Sequence, residues 1–415
     1  MGPLVHLLTR GFVRGRKETM KYQVRLLVMS SGERLPVLCT SDGQPLIGPM
    51  VYVLTELRAQ GRSSATIRHS LEAIMVLQMA LDQQQIDLDA RMRGGKYLQI
   101  HEVDLIARTA NQPIRAFERE PAKQLSRASA ANRLHYILQY LRWQAFGYLM
   151  QLDAHENGYL ALRDRVEKAC NALKARSPCL SIRSQSDQRQ GLSDKSLAVL
   201  QTVVDGVQQV WKNEHAQARN QLMLRWLLEL GIRRGELLGV RLCDINFQRL
   251  EVFIARQADA KEDPRAKQPL AKTHERVLPL SDELADLTHN YVMWCRANQG
   301  LSRRHEYLFV SGGTGKPLSL AGANKLFIAL REAGLNLPDD LTAHILRHSW
   351  NDRFSKEMKR AGVSPEHEQK MRSVLMGWSP TSETAATYTR RYVRERASGA
   401  MKLMQGRLHI DGGNP

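Results

Sequence analysis

Residues 343–350 read AHILRHSW, and this stretch decides how the carboxy-terminal half of the chain is interpreted. If it is helical, His344, Arg347 and His348 stand at i, i+3 and i+4 and share one face. A solvated basic face is the simplest interpretation. Zinc binding would also use histidines at this spacing, but the arginine between them would repel the metal and the glutamate of HExxH is absent. The third interpretation is a face that binds an anion.

The overall charge predicts which anion this is. The chain has 415 residues and a formal net charge of +18, with Lys and Arg spread along its length. Such an excess favours a polyanionic partner, and nucleic acid is the commonest large one. No stretch approaches the run of about 18 apolar residues that spans a bilayer, and the N-terminus lacks the apolar core of a signal peptide. We therefore expect a cytoplasmic protein that binds double-stranded DNA and no membrane.

The length suggests roughly two or three domains. Residues 22–41 contain two β-rich runs around a Ser-Ser-Gly turn, which is typical of a hairpin. The basic residues before it leave open whether this region is an accessory arm or a disordered leader. From Pro45 onward the periodicity is helical, and a polar Ser/Arg-rich stretch then interrupts it. The expected organisation is an N-terminal arm (1–44), a helical domain (45–175), a linker (176–191), a second domain (192–402) and a C-terminal tail (403–415).

The second half supplies several candidates for the anion site. LEVFIAR and ERVLPL are typical of short strands, and the polar segment between them contains three lysines. The GGTGK sequence lacks the first glycine and the Ser/Thr of a phosphate loop, so we interpret it as a turn. Four segments carry candidate side chains, none specific by itself: Arg233 beside Glu236, Lys272 between the strands, the His/Arg face of AHILRHSW, and Trp378 with Tyr388.

The order of these segments and their flanking residues resemble the tyrosine recombinase (phage integrase) family. GIRRGEL is similar to the family's first arginine element, and AKTHERVLPL is similar to its lysine hairpin and the strand that follows. HILRH matches the family's H-x-L-R-H element, and LMGW matches the element that shortly precedes the nucleophilic tyrosine. The resemblance covers about residues 191–395, and residues 45–175 resemble, more weakly, the family's core-binding domain.

The resemblance implies a role for each matched position. Arginines and further donors would hold the non-bridging oxygens of a DNA phosphate, a lysine would protonate the expelled 5′ oxygen, and a tyrosine would attack the phosphorus. His348 and Glu236 are expected to orient neighbouring groups. The implied catalytic residues are Tyr388, Arg233, Lys272, His344, Arg347 and Trp378.

Two departures from the family pattern leave alternatives open. Trp378 stands where many members have histidine, and its indole N–H is also a donor. The interval from Trp378 to Tyr388 is one residue longer than usual, so Tyr392 stays an alternative nucleophile. The lysine hairpin is long, so Lys261 and Lys267 stay alternatives to Lys272.

The expected fold is mainly α with a small antiparallel β-sheet, in which a helical core-binding domain and a mixed α/β catalytic domain form a clamp around DNA. The expected function is site-specific recombination that integrates or excises a mobile genetic element, by a homotetramer with accessory proteins and without metal or cofactor. A type IB topoisomerase and a catalytically silent DNA-binding regulator are the alternatives. The sequence does not specify the DNA site or the direction of the reaction.

Overall fold

The computed structural model describes residues 21–114, 124–153, 157–179, 191–256, 259–269, 271, 273–379, 397, 400–402 and 404–405. The chain divides into two compact units, Met1–Asp187 and Gln188–Pro415, which are described separately. The boundary between them falls inside the polar stretch 176–191.

The first unit begins with an antiparallel hairpin of β1 (Tyr22–Val28) and β2 (Arg34–Thr40). Gly32 provides the positive φ of 94° that its turn requires. Every residue of β2 except Thr40 is buried, and the strand packs on the helices of the unit. Residue 44, where the sequence suggested that an arm gives way to a helical domain, is therefore not a boundary between compact units. The hairpin belongs to the first unit because β2 lies in its core.

The other elements of the first unit are helices around a central one. The central helix carries Ile67, Leu71 and Ile74 on one face, each at most 1% exposed. Burying each such side chain stabilises the unit by about 2 kcal/mol. Ser63 caps this helix by accepting the N–H of Thr66. The helices are α1 (Ile47–Tyr52, continuing as a π-helix over Val53–Arg58), α2 (Ser64–Gln83, the central helix), α3 (Leu88–Arg93), α4 (Ile100–Ala110), α5 (Arg127–Leu149) and α6 (Asn157–Ala175).

The second unit surrounds a central helix with a three-stranded antiparallel sheet and further helices. The strands, in sheet order, are β3 (Ile245–Asn246), β4 (Glu251–Ile254) and β5 (Arg276–Pro279). Trp226 of the central helix is fully buried, and its indole N–H donates to the hydroxyl of Thr288. The helices are α7 (Asp194–Val204), α8 (Glu214–Leu230, the central helix), α9 (Arg234–Gly239), α10 (Asp282–Asn290, continuing as a π-helix over Tyr291–Arg296), α11 (Leu320–Glu332), α12 (Ala343–Arg360) and α13 (Pro365–Met376).

The predicted fold class, mainly α with small antiparallel sheets, is confirmed. The helix that begins at Asp282 changes to π-helix at Tyr291 and ends at Arg296. No helix within the described residues is long and apolar enough to cross a bilayer.

Candidate active site

Arg233 is placed by a change of direction between two helices. Gly231 ends α8 with φ 61°, and the fully buried Ile232 anchors the turn that follows. Arg233 is the N-cap of α9, where its own N–H donates to the Glu236 carboxylate at 3.0 Å. Its Nη1 donates to Glu236 Oε1 at 3.2 Å, and the side chain stays 29% exposed. The guanidinium is thus fixed at its base and reaches solvent.

Glu236 is a buried carboxylate that gathers cationic groups from three parts of the unit. It accepts from Thr273 Oγ1 at 2.5 Å and from Arg276 Nη2 at 2.8 Å, and Arg347 Nη1 lies 4.0 Å from its Oε2. Burial by itself raises the pKa of Glu236. The charges of Arg276 and Arg347 and the hydrogen bonds of Arg276 and Thr273 outweigh burial and lower this pKa to about 2. Glu236 is therefore ionised at neutral pH.

Arg347 lies on the inner face of α12 and is 3% exposed. Its Nη1 donates to the carbonyl oxygen of Gly231 at 2.8 Å, and its Nη2 donates to that of Met376 at 3.4 Å. The guanidinium carbon stands 5.3 Å from the centre of the Trp378 ring, a cation–π contact. One arginine therefore connects the turn before Arg233 to the end of α13.

The two histidines of AHILRHSW are neighbours on α12. The ring centres of His344 and His348 are 4.4 Å apart and the rings are nearly perpendicular. His344 is exposed and His348 is half-buried, so the outer histidine faces solvent. Thr342 is the N-cap residue of this helix, and its side chain makes no capping hydrogen bond.

Gly377 connects the end of α13 to the segment that precedes β5. It ends α13 with φ 62°, and its carbonyl oxygen accepts the N–H of His274 at 2.9 Å. A Cβ at this position would stand 2.6 Å from the His274 carbonyl oxygen, so glycine is required for space as well as for conformation. Trp378, the residue that follows this glycine, thereby lies against the Arg347 guanidinium.

The structure brings three of the six predicted catalytic residues to one place. Arg233 and Arg347 both approach Glu236, Trp378 contacts the Arg347 guanidinium, and His344 lies on the same helix as Arg347. Lys272 and Tyr388 lie outside the described residues, as does the alternative Tyr392. The alternative lysines, Lys261 and Lys267, are both exposed on the segment between β4 and β5.

Sequence reasoning missed Arg276 and Thr273. Arg276 donates its Nε to the carbonyl oxygen of Leu375 in addition to holding Glu236. A signal was present in ERVLPL, where alternation places Arg276 on the same inward face as Leu278 and Leu280. An arginine at an inward position of a strand requires a buried acceptor, and the acceptor here is Glu236.

These groups offer donors of the kind that bind an anion. Guanidinium groups present paired N–H donors that match the oxygens of a phosphate, and an imidazole and an indole add single donors. The described residues contain no group of three or more His, Cys, Asp or Glu side chains that could hold a metal ion. The chemistry that these residues offer is the neutralisation of charge on a phosphate.

Comparison with known proteins finds a family match within the second unit. Residues 199–395 match the phage integrase family, and the predicted resemblance of this part of the chain to that family is confirmed. Tyrosine recombinase XerD of Halalkalibacterium halodurans is 28% identical over 132 residues, 32% of this chain and 39% of XerD. A Sinorhizobium fredii protein named as an integrase/recombinase, y4rF, is 32% identical over 132 residues, 32% of this chain and 28% of that protein. The match thus spans about a third of each relative.

Solved structures of similar proteins include a complex with DNA. The Tn1549 transposon integrase in complex with circular intermediate DNA is 15% identical, with a TM-score of 0.47 over 84% of this chain and 99% of that chain. The XerA recombinase is 14% identical, with a TM-score of 0.36 over 85% of this chain and 97% of that chain.

Proposed function

We propose that the chain is a site-specific tyrosine recombinase that cleaves and rejoins DNA through a 3′-phosphotyrosine intermediate. The observation that carries this proposal is the meeting of Arg233 and Arg347 on one buried carboxylate, Glu236, at 3.2 and 4.0 Å. Bringing two arginines from separate helices together costs electrostatic free energy, because like charges repel. The shared carboxylate offsets that repulsion, and an incoming phosphate receives two positioned guanidiniums.

The reaction that these residues support is an in-line displacement. Tyr388 attacks the scissile phosphorus with its phenolic oxygen, whose proton is lost to water. The new bond joins tyrosine to the 3′ phosphate, and the bond to the 5′ oxygen breaks. The leaving oxygen keeps the bonding electrons and takes a proton from the ammonium of Lys272. Arg233, Arg347, His344 and Trp378 neutralise the charge that develops on the non-bridging oxygens.

Rejoining is the reverse of cleavage. The phosphotyrosine bond keeps the energy of the broken phosphodiester, so a 5′ hydroxyl can attack it without ATP and without a metal. The amine of Lys272 takes back a proton from this hydroxyl, which regenerates the ammonium. Exchange between two duplexes follows when the attacking hydroxyl comes from the other duplex.

The proposed partner is double-stranded DNA, and the proposed place of action is the cytoplasm. Recombination between two sites needs four active sites, so we propose a homotetramer on synapsed DNA, assisted by accessory proteins. The segment after Tyr388, RRYVRERASGAMKLMQ, carries apolar residues suited to docking on a neighbouring subunit. Deletion of residues 396–415 is expected to leave cleavage of a single site intact and to abolish recombination. Loss of neither would contradict docking between subunits.

The proposed use is integration or excision of a mobile genetic element. The test uses duplexes taken from the DNA that flanks the gene, because a recombinase of a mobile element commonly lies near its own attachment site. Incubation with two plasmids that carry one such site should yield a covalent protein–DNA adduct and recombined products. Rapid relaxation of a supercoiled plasmid that lacks the site would favour a type IB topoisomerase instead. Tight binding without any adduct would favour a silent regulator.

A further inference from the structure

The segment between β4 and β5 contains a buried ion pair of its own. Asp263 is 4% exposed and Arg265 is 8% exposed, although the segment around them is polar and mostly exposed. The Arg265 Nε donates to both carboxylate oxygens, at 2.9 and 3.2 Å, and Nη2 donates to Oδ2 at 2.9 Å. The Arg265 N–H donates to Oδ1 at 2.9 Å as well. The pair is therefore a buried ion pair with several hydrogen bonds, and not a flexible surface contact.

Arg265 uses its remaining terminal nitrogen to connect this loop to two other elements. Its Nη1 donates to the carbonyl oxygen of Leu238 at 2.9 Å and to that of Leu318 at 3.0 Å. Its guanidinium carbon also stands 4.3 Å from the centre of the Tyr307 ring. Leu238 belongs to α9, the helix that begins immediately after Arg233. The loop is thus attached to the element that carries a candidate phosphate-binding arginine.

The end of the loop that enters β5 is attached to the same place. Thr273 donates to Glu236 of α9, and the N–H of His274 donates to the carbonyl oxygen of Gly377. The residue before Thr273 in the chain is Lys272. Ala271, together with Asp263 and Arg265, lines a cavity of about 20 Å³ beside Glu236. The part of the loop that contains Lys267 and Lys272 in sequence is therefore attached at both ends to α9 or its partners.

We propose that Asp263 and Arg265 are positioning residues for proton delivery. They hold the lysine-bearing loop against α9, so that the lysine ammonium and the Arg233 guanidinium can contact the same phosphate. This inference rests on the proposed recombinase function, in which the lysine gives its proton to the 5′ oxygen as the phosphorus–oxygen bond breaks. Arginine is required at position 265 because only a planar fork can bind a carboxylate and two carbonyl oxygens together.

The test compares two DNA substrates that differ in one atom. One is a duplex that the wild-type protein cleaves, and the other has sulfur in place of the 5′ bridging oxygen at the scissile phosphate. A thiol, with a pKa of about 8.5, is a far stronger acid than the alcohol that the 5′ oxygen forms. The sulfur therefore leaves as a thiolate and needs no proton from the protein. Cleavage of the sulfur substrate therefore does not depend on the lysine. The measured quantity is the ratio of adduct-formation rates on the two substrates for each variant.

Arg265→Lys and Asp263→Asn are expected to slow adduct formation on ordinary DNA about tenfold or more and to change the rate on sulfur DNA far less. Lys272→Ala should show the same difference between the two substrates if Lys272 is the residue that donates the proton. Because each variant is compared with itself on two substrates, a smaller folded fraction cancels from the ratio. Arg219→Lys is the matched control, since Arg219 likewise donates to a neighbouring side chain, Asn220, and to a distant carbonyl oxygen, Val310. Its ratio should equal that of the wild type.

Equal losses on both substrates for Arg265→Lys and Asp263→Asn would overturn the proposal, because a purely structural role lowers both rates alike. Wild-type cleavage of ordinary DNA by these variants would also overturn it. Failure of the proposed function is distinguishable, because the wild-type protein would then form no adduct with any duplex from the DNA that flanks the gene, and the inference about positioning would fall with it.

Discussion

Glu236 is the residue on which the candidate phosphate site depends. Its carboxylate, 3% exposed, contacts Arg233, Thr273 and Arg276, and it lies 4.0 Å from Arg347. Removing one partner from such a group leaves buried charge without compensation, which typically costs about 3–5 kcal/mol. Glu236 therefore stabilises the unit and at the same time sets the position of the groups that would bind DNA.

Glu236→Gln is expected to lower the free energy of unfolding by an amount that depends on pH. The pKa of Glu236 is about 2 in the folded chain, below the ordinary 4.5, so its ionised form stabilises the fold by about 3 kcal/mol above pH 4.5. That contribution is lost as the pH falls from 4.5 towards 2. Urea unfolding at several pH values should show a difference between wild type and Glu236→Gln that is large at pH 7 and shrinks below pH 4.5. A difference independent of pH would contradict this account.

Arg233→Lys tests whether the planar guanidinium, and not merely its charge, is needed for chemistry. The expected result is a fall in the rate of adduct formation of about 10²-fold or more, with little change in DNA affinity, because a lysine cannot hold two phosphate oxygens in parallel. Arg234→Lys is the matched control, since the neighbouring guanidinium donates to the side chain of Asn324. Similar losses in the two variants would show that Arg233 has no particular role.

Among the helices and strands, those determined by local sequence pattern were predicted from the sequence. The Ser-Ser-Gly hairpin and the two strands around the lysine segment follow from periodicity and turn residues, and both features form. The π-helical continuations of α1 and α10 were not predicted, because their residues keep an ordinary helical pattern. Arg276 was missed for a different reason: its role exists only when α9 and α13 are packed beside β5.

Gly377→Ala tests the junction between α13 and the strand segment. Gly377 has φ 62° and its added Cβ would stand 2.6 Å from a backbone oxygen, whereas Gly362 has φ 68° and nothing within 4 Å of its added Cβ. Both substitutions introduce a left-handed alanine, which costs about 1–2 kcal/mol. Only Gly377→Ala forces backbone apart as well, so it should be less stable than Gly362→Ala by about 1–3 kcal/mol in urea unfolding. Equal stabilities would mean that the junction tolerates a side chain.

In the whole molecule, the family match concerns residues 199–395, whereas the net charge of +18 concerns the full chain. The match shows that this region is similar to the phage integrase family, and the charge predicts that the chain binds a polyanion. Neither specifies a DNA sequence, because phosphate contacts carry no sequence information. Target choice depends on contacts to base edges, which the residue pattern of one chain does not reveal.

Salt dependence tests the predicted contact with the DNA backbone. Affinity for duplexes of unrelated sequence should fall about 10³-fold or more between about 50 and 200 mM salt, because every neutralised phosphate releases counterions. Titration of a labelled duplex at several salt concentrations gives the slope. A flat response would contradict binding by a clamp of basic side chains.

In the proposed reaction, Tyr388 becomes covalently joined to the 3′ phosphate of cleaved DNA. Tyr388→Phe removes the attacking oxygen and keeps the ring, and Tyr392→Phe makes the same change four residues later. With a duplex that the wild-type protein cleaves, denaturing electrophoresis and mass spectrometry of the DNA-linked peptide measure the adduct directly. The account predicts that Tyr388→Phe binds this duplex and forms no adduct, while Tyr392→Phe forms it. An adduct that persists in Tyr388→Phe and disappears in Tyr392→Phe would contradict the assignment and identify Tyr392 as the nucleophile.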